Sequence, residues 1–295
     1  MRLFTDNFSG ITPMESAKSL VTNASSLVSF PSIAIEVGKV INSEDGSVRD
    51  VAKLIESDPA LTAKLLRVAN SAAFPSVSEV DTVPKAITRI GSRTINQVLT
   101  GIEVARCFEG VENAAFSIDE FWRHSIYTAL IAQNIANICG KVEPGVAFTA
   151  GLLHDIGDLI LYNATKEHGE QCFSQSLLDN DGLETYRTEQ DFFGFDHSDV
   201  GYELASQWSL PTSIQESILA HHTPSKLEDI PDLVYVVHIA NSLAVLCELD
   251  SNDFSEAAPI LDAAWQTLGL SPSQATEIIG DIKASAEDIL QAFSA

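Results

Sequence analysis

Seven histidines occur in this 295-residue chain. Six of them, His124, His154, His197, His221, His222 and His238, sit in or beside apolar segments that read as helices. The densest such segment is AFTAGLLHDIGDLILY, residues 147–162, an apolar helix interrupted by the adjacent pair His154-Asp155. Ala147, Ala150, Leu153, Ile156, Ile160 and Leu161 recur at helical spacing, so one face belongs to a core. An imidazole beside a carboxylate among leucines costs free energy unless the two are paired or bind a metal. Neighbouring side chains on a helix point about 100° apart, yet both can converge on one ion lying between them. Taken alone, the pair reads more readily as a core histidine bonded to its carboxylate. The remaining histidines reverse that weighting. Imidazole is the commonest nitrogen ligand of zinc, iron and nickel, and the Asp155 carboxylate suits a mixed nitrogen and oxygen site.

Each further histidine also has a simpler explanation to set beside ligation. Ser117-Ile118-Asp119-Glu120 matches a capping box, which accounts for Glu120 without a metal. His124 lies four residues on, shares the face of Glu120 and has no such role. Asp196 reads as a helix cap with His197 in the first turn, a position that most often faces solvent. His221-His222 ends the segment Ile214–Ala220, where the helix dipole favours histidine in any case. His238 and Asn241 belong to a buried helix, DLVYVVHIANSLAVLCEL.

The elements that must position these residues are helices throughout. Residues 13–29 form an amphipathic opener, and Ser32–Ile41 carries Ile33, Val37, Val40 and Ile41 on one face. Ser47 caps a short helix holding Val48, Val51, Leu54 and Ile55. Asp58-Pro59 is a capping carboxylate followed by proline at the first helical position. Pro75 and Pro84 bracket a loop, and helices over Ala86–Ile90 and Ser92–Phe108 meet at Gly91. Two polar helices, His168–Asp179 and Gly182–Phe193, follow the His154-Asp155 helix. Two more, over roughly 254–268 and 272–293, form a packing cap. With no alternating strand pattern, the fold class is all-α, a two-lobed helical bundle. The seam falls in Gly110–Ala115, giving lobes over 1–112 and 113–295.

Composition bounds the partners. Hydrophobic residues make up 45% of the chain, a globular proportion. The net charge of −24, from 41 acidic against 17 basic residues, repels nucleic acid, anionic membranes and free nucleotides where no basic patch intervenes. No such patch is visible, so no direct nucleic-acid partner is expected. No apolar run of membrane-spanning length and no signal peptide are visible, and no membrane partner is expected. Cys107, Cys139, Cys172 and Cys247 are widely spaced and read as reduced, mostly buried thiols of a cytoplasmic protein.

The order His124, His154-Asp155, His197, His221-His222 resembles the HD superfamily of metal-dependent phosphohydrolases. The segments DPALTAKLLRVANSAAF and AITRIGSRTINQVL further resemble the HDOD family, an HD-related output domain of bacterial signalling proteins. The likeness runs from about Leu27 to about Leu249. It implies a smaller N-terminal helical bundle packed on an HD-like one. It also implies metal ligands at His124, His154, Asp155, His197, His221 and His222, with Glu120 matching an extra carboxylate ligand of some multinuclear members. Asp155 would be the catalytic group if the protein is enzymatic. The departures concern charge. Asn241 stands where the HD pattern ends in an aspartate, and Ala244 where cyclic-dinucleotide hydrolases carry a lysine. TPSKLED follows His222 in place of a Gly-Tyr-Pro signature.

Phosphodiester hydrolysis needs metal-activated water and cations for the developing phosphate charge. Losing a carboxylate and a lysine therefore favours binding over catalysis. The leading expectation is a stand-alone bacterial signal-transduction module that binds other signalling proteins. In that reading a degenerate HD site holds a divalent ion (iron, zinc, manganese or nickel) and performs little or no catalysis. The alternatives are an active metal-dependent phosphohydrolase acting on a nucleotide or signalling phosphoester, and a metal-free structural scaffold. Arg123 and Lys226 are the only cations near the motifs in sequence.

Overall fold

The computed structural model describes residues 16–24, 32–43, 45–71, 74, 79–107, 117–165, 167–180 and 184–293. Among them no strand occurs, and the fold is all-α. The N-terminal part comprises α1 (Ala17–Ala24), α2 (Ser32–Ile41), α3 (Val48–Glu56), α4 (Pro59–Ala69), α5 (Val83–Ile90) and α6 (Ser92–Cys107). Then come α7 (Ile118–Cys139), α8 (Pro144–Leu153), α9 (Ile156–Thr165), α10 (Glu167–Asn180) and α11 (Thr185–Phe193). The remainder is α12 (His197–Gln207), α13 (Thr212–Ala220), α14 (Asp232–Leu249), α15 (Asp262–Leu268) and α16 (Pro272–Phe293). The expected seam, Gly110–Ala115, lies outside the described residues.

Local chemistry sets most of the helix starts. Ser47 accepts from the amide of Asp50, and Asp58 from those of Ala60 and Leu61 with Pro59 behind it. Ser117 accepts from the amide of Glu120, and Glu143 from those of Gly145 and Val146. Asp196 and Asp199 form a reciprocal capping box at the start of α12. α6 helps to cap α2, since the buried Glu103 carboxylate accepts from the Ala34 amide at 2.9 Å.

Three boundaries differ from the sequence expectation. α5 opens at Val83, so Pro84 lies in its first turn, where no backbone N–H is needed. Within 254–268 only α15 is α-helical, preceded by a short 3-10 turn at Phe254–Glu256. Pro259 between them disfavours helical geometry in the residue before it. The third difference matters most. Residues 147–162 are not one helix, because α8 ends at Leu153, α9 begins at Ile156, and His154-Asp155 forms the turn between them.

The cause of that break is local. His154 Nδ1–H donates to the Gly151 carbonyl at 2.8 Å, taking the acceptor that the amide four residues on would use in a continuing helix. The same happens at the end of α13, where His221 Nδ1–H donates to the Ile218 carbonyl at 2.8 Å. Both helices stop where an imidazole turns back on its own last turn.

α7 is the central helix, packed against α8, α14 and α16. α9 lies against α12, and α12 against α13. The lobes exchange their ends: α1 packs on α9 and α12, while α16 reaches back to α4 and α6. Two glycines set the closest approaches. A Cβ on Gly151 would stand 2.8 Å from the Ala129 Cα, so α8 and α7 touch backbone to backbone. A Cβ on Gly157 would run into the His197 carbonyl oxygen and stand 2.6 Å from the Gly201 amide nitrogen. α14 is long and apolar enough to span a membrane by length and composition, contrary to expectation, but 78% of it is buried inside the fold as a core helix. The three cysteines with described side chains are free thiols, Cys172 and Cys247 buried and Cys139 half-buried.

Candidate metal centre

Asp155 stands at the middle of a histidine cluster. Its Oδ2 lies 3.0 Å from His154 Nε2 and 3.7 Å from His124 Nε2. Its Oδ1 lies 3.2 Å from His221 Nε2 and 3.4 Å from His197 Nε2. His222 Nε2 is 2.9 Å from His197 Nε2. Six residues from α7, the α8–α9 turn, α12 and the end of α13 thus face one point. His197, placed by sequence on a mostly solvent-facing position, is almost wholly buried because α12 crosses α9 so tightly at Gly157.

The hydrogen bonds fix which nitrogen of each ring is free. The carbonyl partners of His154 and His221 make Nδ1 the donor, so Nε2 carries a lone pair aimed inward. His197 Nδ1–H donates to Glu189 Oε2 at 2.7 Å, and the His197 backbone N–H donates to the same oxygen at 2.8 Å. Tyr162 O–H donates to the other Glu189 oxygen at 2.6 Å. Ligating histidines are oriented in this way in metal sites, by a carbonyl or carboxylate on the far nitrogen. His222 is held differently, stacked on Tyr186 with ring centroids 4.6 Å apart and planes within 12°.

Among the described residues these inward nitrogens have only one another and the Asp155 carboxylate near them. His154 Nε2, His221 Nε2 and Asp155 Oδ1 are buried and form no well-directed hydrogen bond with the described residues, although the two nitrogens lie 3.0 and 3.2 Å from Asp155 oxygens, and the His197 and His222 nitrogens 2.9 Å apart need a proton or a cation between them. Buried polar atoms are normally satisfied, so the donor set fits a divalent ion. Three groups among the described residues have ligand atoms within 4.8 Å of one another: Asp158, Glu189 and His197, and the two built on Asp155, namely Asp155, His197, His221 and His222, and His124, His154 and Asp155. Asp155 belongs to two of the three. A bound ion there would supply Lewis acidity and a more acidic bound water.

His124 Nε2 also lies 2.8 Å from Asn241 Oδ1, which puts the amide beside the His124, His154 and Asp155 group. Burial works against charge on His124, but Glu248, followed by Asp155, raises its pKa to about 9. Burial lowers His221 to about 4. Asp155 is held well below the usual carboxylate range, the surrounding histidines, His154 foremost, outweighing burial. Glu120 is exposed at the rim of the cavity, one turn before His124. His238 is not part of the cluster. It donates from Nδ1 to the His221 carbonyl at 2.7 Å, accepts from the Leu261 amide at 3.1 Å, and so braces the end of α13.

Two site residues escaped the sequence reading. Asp158, one turn into α9, has a buried oxygen without a hydrogen bond and lies 3.4 Å from His197 Nδ1. Its spacing from His154 could have marked it. Glu189 is fully buried, yet it lies in the mostly polar run TYRTEQDFF, where nothing in the sequence singles it out. Burial pushes Asp158 well above the usual carboxylate range. Lys226, one of the two cations near the motifs, is engaged by Asp196 and Asp199; burial works against charge on Asp196, but His197, then Ser198 and Lys226, bring it to about 2. The cluster opens into a cavity of about 440 Å³, lined by Glu120, Asp155, Asp158 and Glu248, with Arg123 the one lysine or arginine among the described residues that line it and His124 beside it.

The family model of the HDOD domain matches residues 27–224. An uncharacterized protein of Treponema pallidum (strain Nichols) is 25% identical over 235 residues, 76% of this chain and 43% of that protein. The chain therefore spans less than half the length of that relative. A solved structure from Shewanella amazonensis SB2B, named as a candidate phosphohydrolase, superposes with a TM-score of 0.75 at 24% identity, covering 95% of this chain and 100% of that one. An HDOD domain protein of unknown function from Geobacter sulfurreducens gives 0.73 at 24% identity, covering 94% and 97%. A candidate signal transduction protein from Marinobacter aquaeolei VT8 gives 0.74 at 20% identity, covering 98% and 64%. At these identities the structural likeness is one of fold. The family rests on the domain match, which takes in the histidine cluster up to His222 together with the α4 and α6 segments: this chain belongs to the HDOD domain family.

Proposed function

We propose that the protein is a regulatory module of bacterial signal transduction, in which the HD site binds a divalent ion through His124, His154, Asp155, His197, His221 and His222 and performs little or no hydrolysis. The lobes divide near residue 112, apart from α1, whose contacts are with the second lobe. The observation that carries this reading is the charge of the cavity. Among the described residues four carboxyl groups, those of Glu120, Asp155, Asp158 and Glu248, face it with one guanidinium, although burial raises Asp158 towards its neutral form and His124, raised to about 9, adds a positive charge. Residues 117–295 hold 28 acidic against 6 basic side chains, whereas residues 32–107 hold nine of each. A phosphoester would meet repulsion on approach and little cationic help on arrival. Asn241 adds to this, because a neutral amide beside His124 holds an ion there less well than a carboxylate would.

The working activity in this reading is binding of other signalling proteins, in line with the name of the Marinobacter relative. The alternative, a phosphohydrolase, is favoured by one feature: Asp155 is shared between two donor groups, as in sites that clamp a phosphoester between two ions. Metal content and turnover of a panel of cyclic dinucleotides and nucleoside phosphates separate the two, measured with added manganese or iron for the wild type and for His154→Ala/Asp155→Ala. The regulatory reading expects bound metal in the wild type, none in the double variant, and no turnover in either. Robust hydrolysis that disappears in the variant would replace it with the phosphohydrolase.

A further inference from the structure

α10 and α11 are attached to the fold by polar contacts more than by apolar burial. They pack on each other, α10 rests on α9, and α11 rests on α12. Among the described residues neither helix puts a side chain into the buried apolar core, and only Phe193, at the end of α11, packs against it. The buried residues of α11 are Thr188 and Glu189. Tyr186, Glu189 and Gln190 share one face of α11, and each reaches the metal centre or its support. Tyr186 stacks on His222. The Glu189 carboxylate accepts from His197 and from Tyr162. Gln190 Nε2–H donates to Asp196 Oδ2 at 2.6 Å, in the cap from which His197 follows. The same two helices form part of the wall of the metal-centre cavity, through Phe173, Leu177 and Thr185, and Leu177 is 49% exposed.

Segments with few buried apolar contacts open locally at a lower free energy than the core does. Opening α10 and α11 has a specific effect on the donors. His197 and His222 lose the groups that aim them, whereas His154 and His221 keep the bonds to their own helices. The group of Asp155, His197, His221 and His222 is complete only in the closed arrangement. Closing also holds His197 Nε2 and His222 Nε2 2.9 Å apart, a pairing that a cation between them satisfies. An ion therefore binds the closed arrangement more tightly and draws the population towards it, and the closed arrangement raises ion affinity by the same factor.

We propose that α10 and α11 form a lid on the metal centre, closed when an ion draws His197 and His222 together and locally open without one. Opening is the route by which the ion exchanges, and it makes the outer surface of the two helices a readout of metal occupancy. This rests on the reading of the histidine cluster as a metal site, and it supplies that site's regulation.

The test is amide hydrogen exchange of the full chain, read by mass spectrometry without metal and with saturating Co²⁺, beside Co²⁺ titration by absorbance. Without metal, α10 and α11 exchange faster than the core helix α14, and Co²⁺ slows them by about fivefold or more. Tyr186→Ala removes the stack and weakens Co²⁺ binding about three- to tenfold, while Tyr186→Phe, which keeps the ring, restores it. In a His222→Ala background the Tyr186→Ala change adds nothing, because the tyrosine acts through that imidazole. Exchange of α10 and α11 no faster than that of α14 in the metal-free protein overturns the lid. Co²⁺ binding that leaves their exchange unchanged overturns the coupling and leaves the metal site standing. An equal loss from Tyr186→Ala with and without His222 makes the ring's role structural and also overturns it. If the wild type takes up no Co²⁺ at all, the metal reading fails and takes the coupling with it. The wild-type exchange comparison decides the lid even if a variant does not fold.

Discussion

Gly157→Ala puts one methyl group where α9 and α12 touch. The added Cβ would overlap the His197 carbonyl oxygen and lie 2.6 Å from the Gly201 amide nitrogen, against about 3.4 Å for ordinary contact. Relieving the second contact alone needs a displacement of 0.8 Å, the difference of those two distances. Every clashing atom is backbone, so no rotamer change absorbs it. Overpacking of this kind costs about 1–3 kcal/mol, and the better helix propensity of alanine returns at most about 1 kcal/mol. A net loss of about 1–2 kcal/mol lowers the melting temperature by about 2–4 °C per kcal/mol for a chain somewhat larger than a single domain. The functional loss is larger than the stability loss. His197 opens α12, and metal–ligand distances tolerate only about 0.2 Å, so the Asp155, His197, His221 and His222 group loses its ion. Gly280→Ala is the internal control, in α16 with nothing within 4 Å of the added Cβ. It should gain about 0.4–1 kcal/mol. Thermal unfolding and Co²⁺ titration of the two variants read both effects. A Gly157→Ala protein that melts at or above the wild type and binds Co²⁺ equally well would refute the argument.

Two other outcomes follow from single contacts. Glu189→Gln removes the carboxylate that holds His197 through two bonds and Tyr162 through a third. Metal affinity should fall about 10–100-fold with the helical circular dichroism intact, and an unchanged dissociation constant counts against the second layer assigned here. Asp58→Ala removes the α4 cap and should cost about 0.5–2 kcal/mol in urea unfolding at pH 7, whereas Asp58→Asn, which still caps, costs less. The amide of Leu61 and then the Arg106 guanidinium hold Asp58 below its ordinary 3.8. Its contribution is therefore full above pH 3.8 and fades as the pH drops through the lower folded value. The wild type and Asp58→Asn should converge in acid, and a gap that persists to the acid limit contradicts this assignment.

How much of this was legible in the sequence depended on whether the signal was local. Asp58-Pro59 and Ser117 announced α4 and α7 because a cap is a contact with the next three residues. The break at His154-Asp155 is also local, yet it reads as continuous helix, since periodicity does not show a side chain taking a backbone acceptor. His197 is the opposite case. Its first-turn position suggests exposure, and only the approach of α9 at Gly157 and of Glu189 from α11 buries it. Asp158 and Glu189 acquire their role from helices that sequence spacing cannot bring together. Asn241 was visible as a substitution, but its bond to His124 across 117 positions was not.

The two imidazoles that lean back on their own helices, His154 and His221, have a consequence for how the centre comes apart and how it drifts. Their aim is written within four consecutive residues each, Gly151–His154 and Ile218–His221, and survives as long as one helical turn survives. His197, His222 and His124 are aimed by groups on other helices: Glu189, Tyr186, Asn241 and Glu248. Loosening the fold therefore releases the remotely aimed rings first, while His154 and His221 each keep the orientation set by their own helix. The same division sorts tolerance to sequence change: the self-aimed pair keeps its bearing through almost any drift elsewhere, while each remotely aimed ring depends on a partner that must change with it.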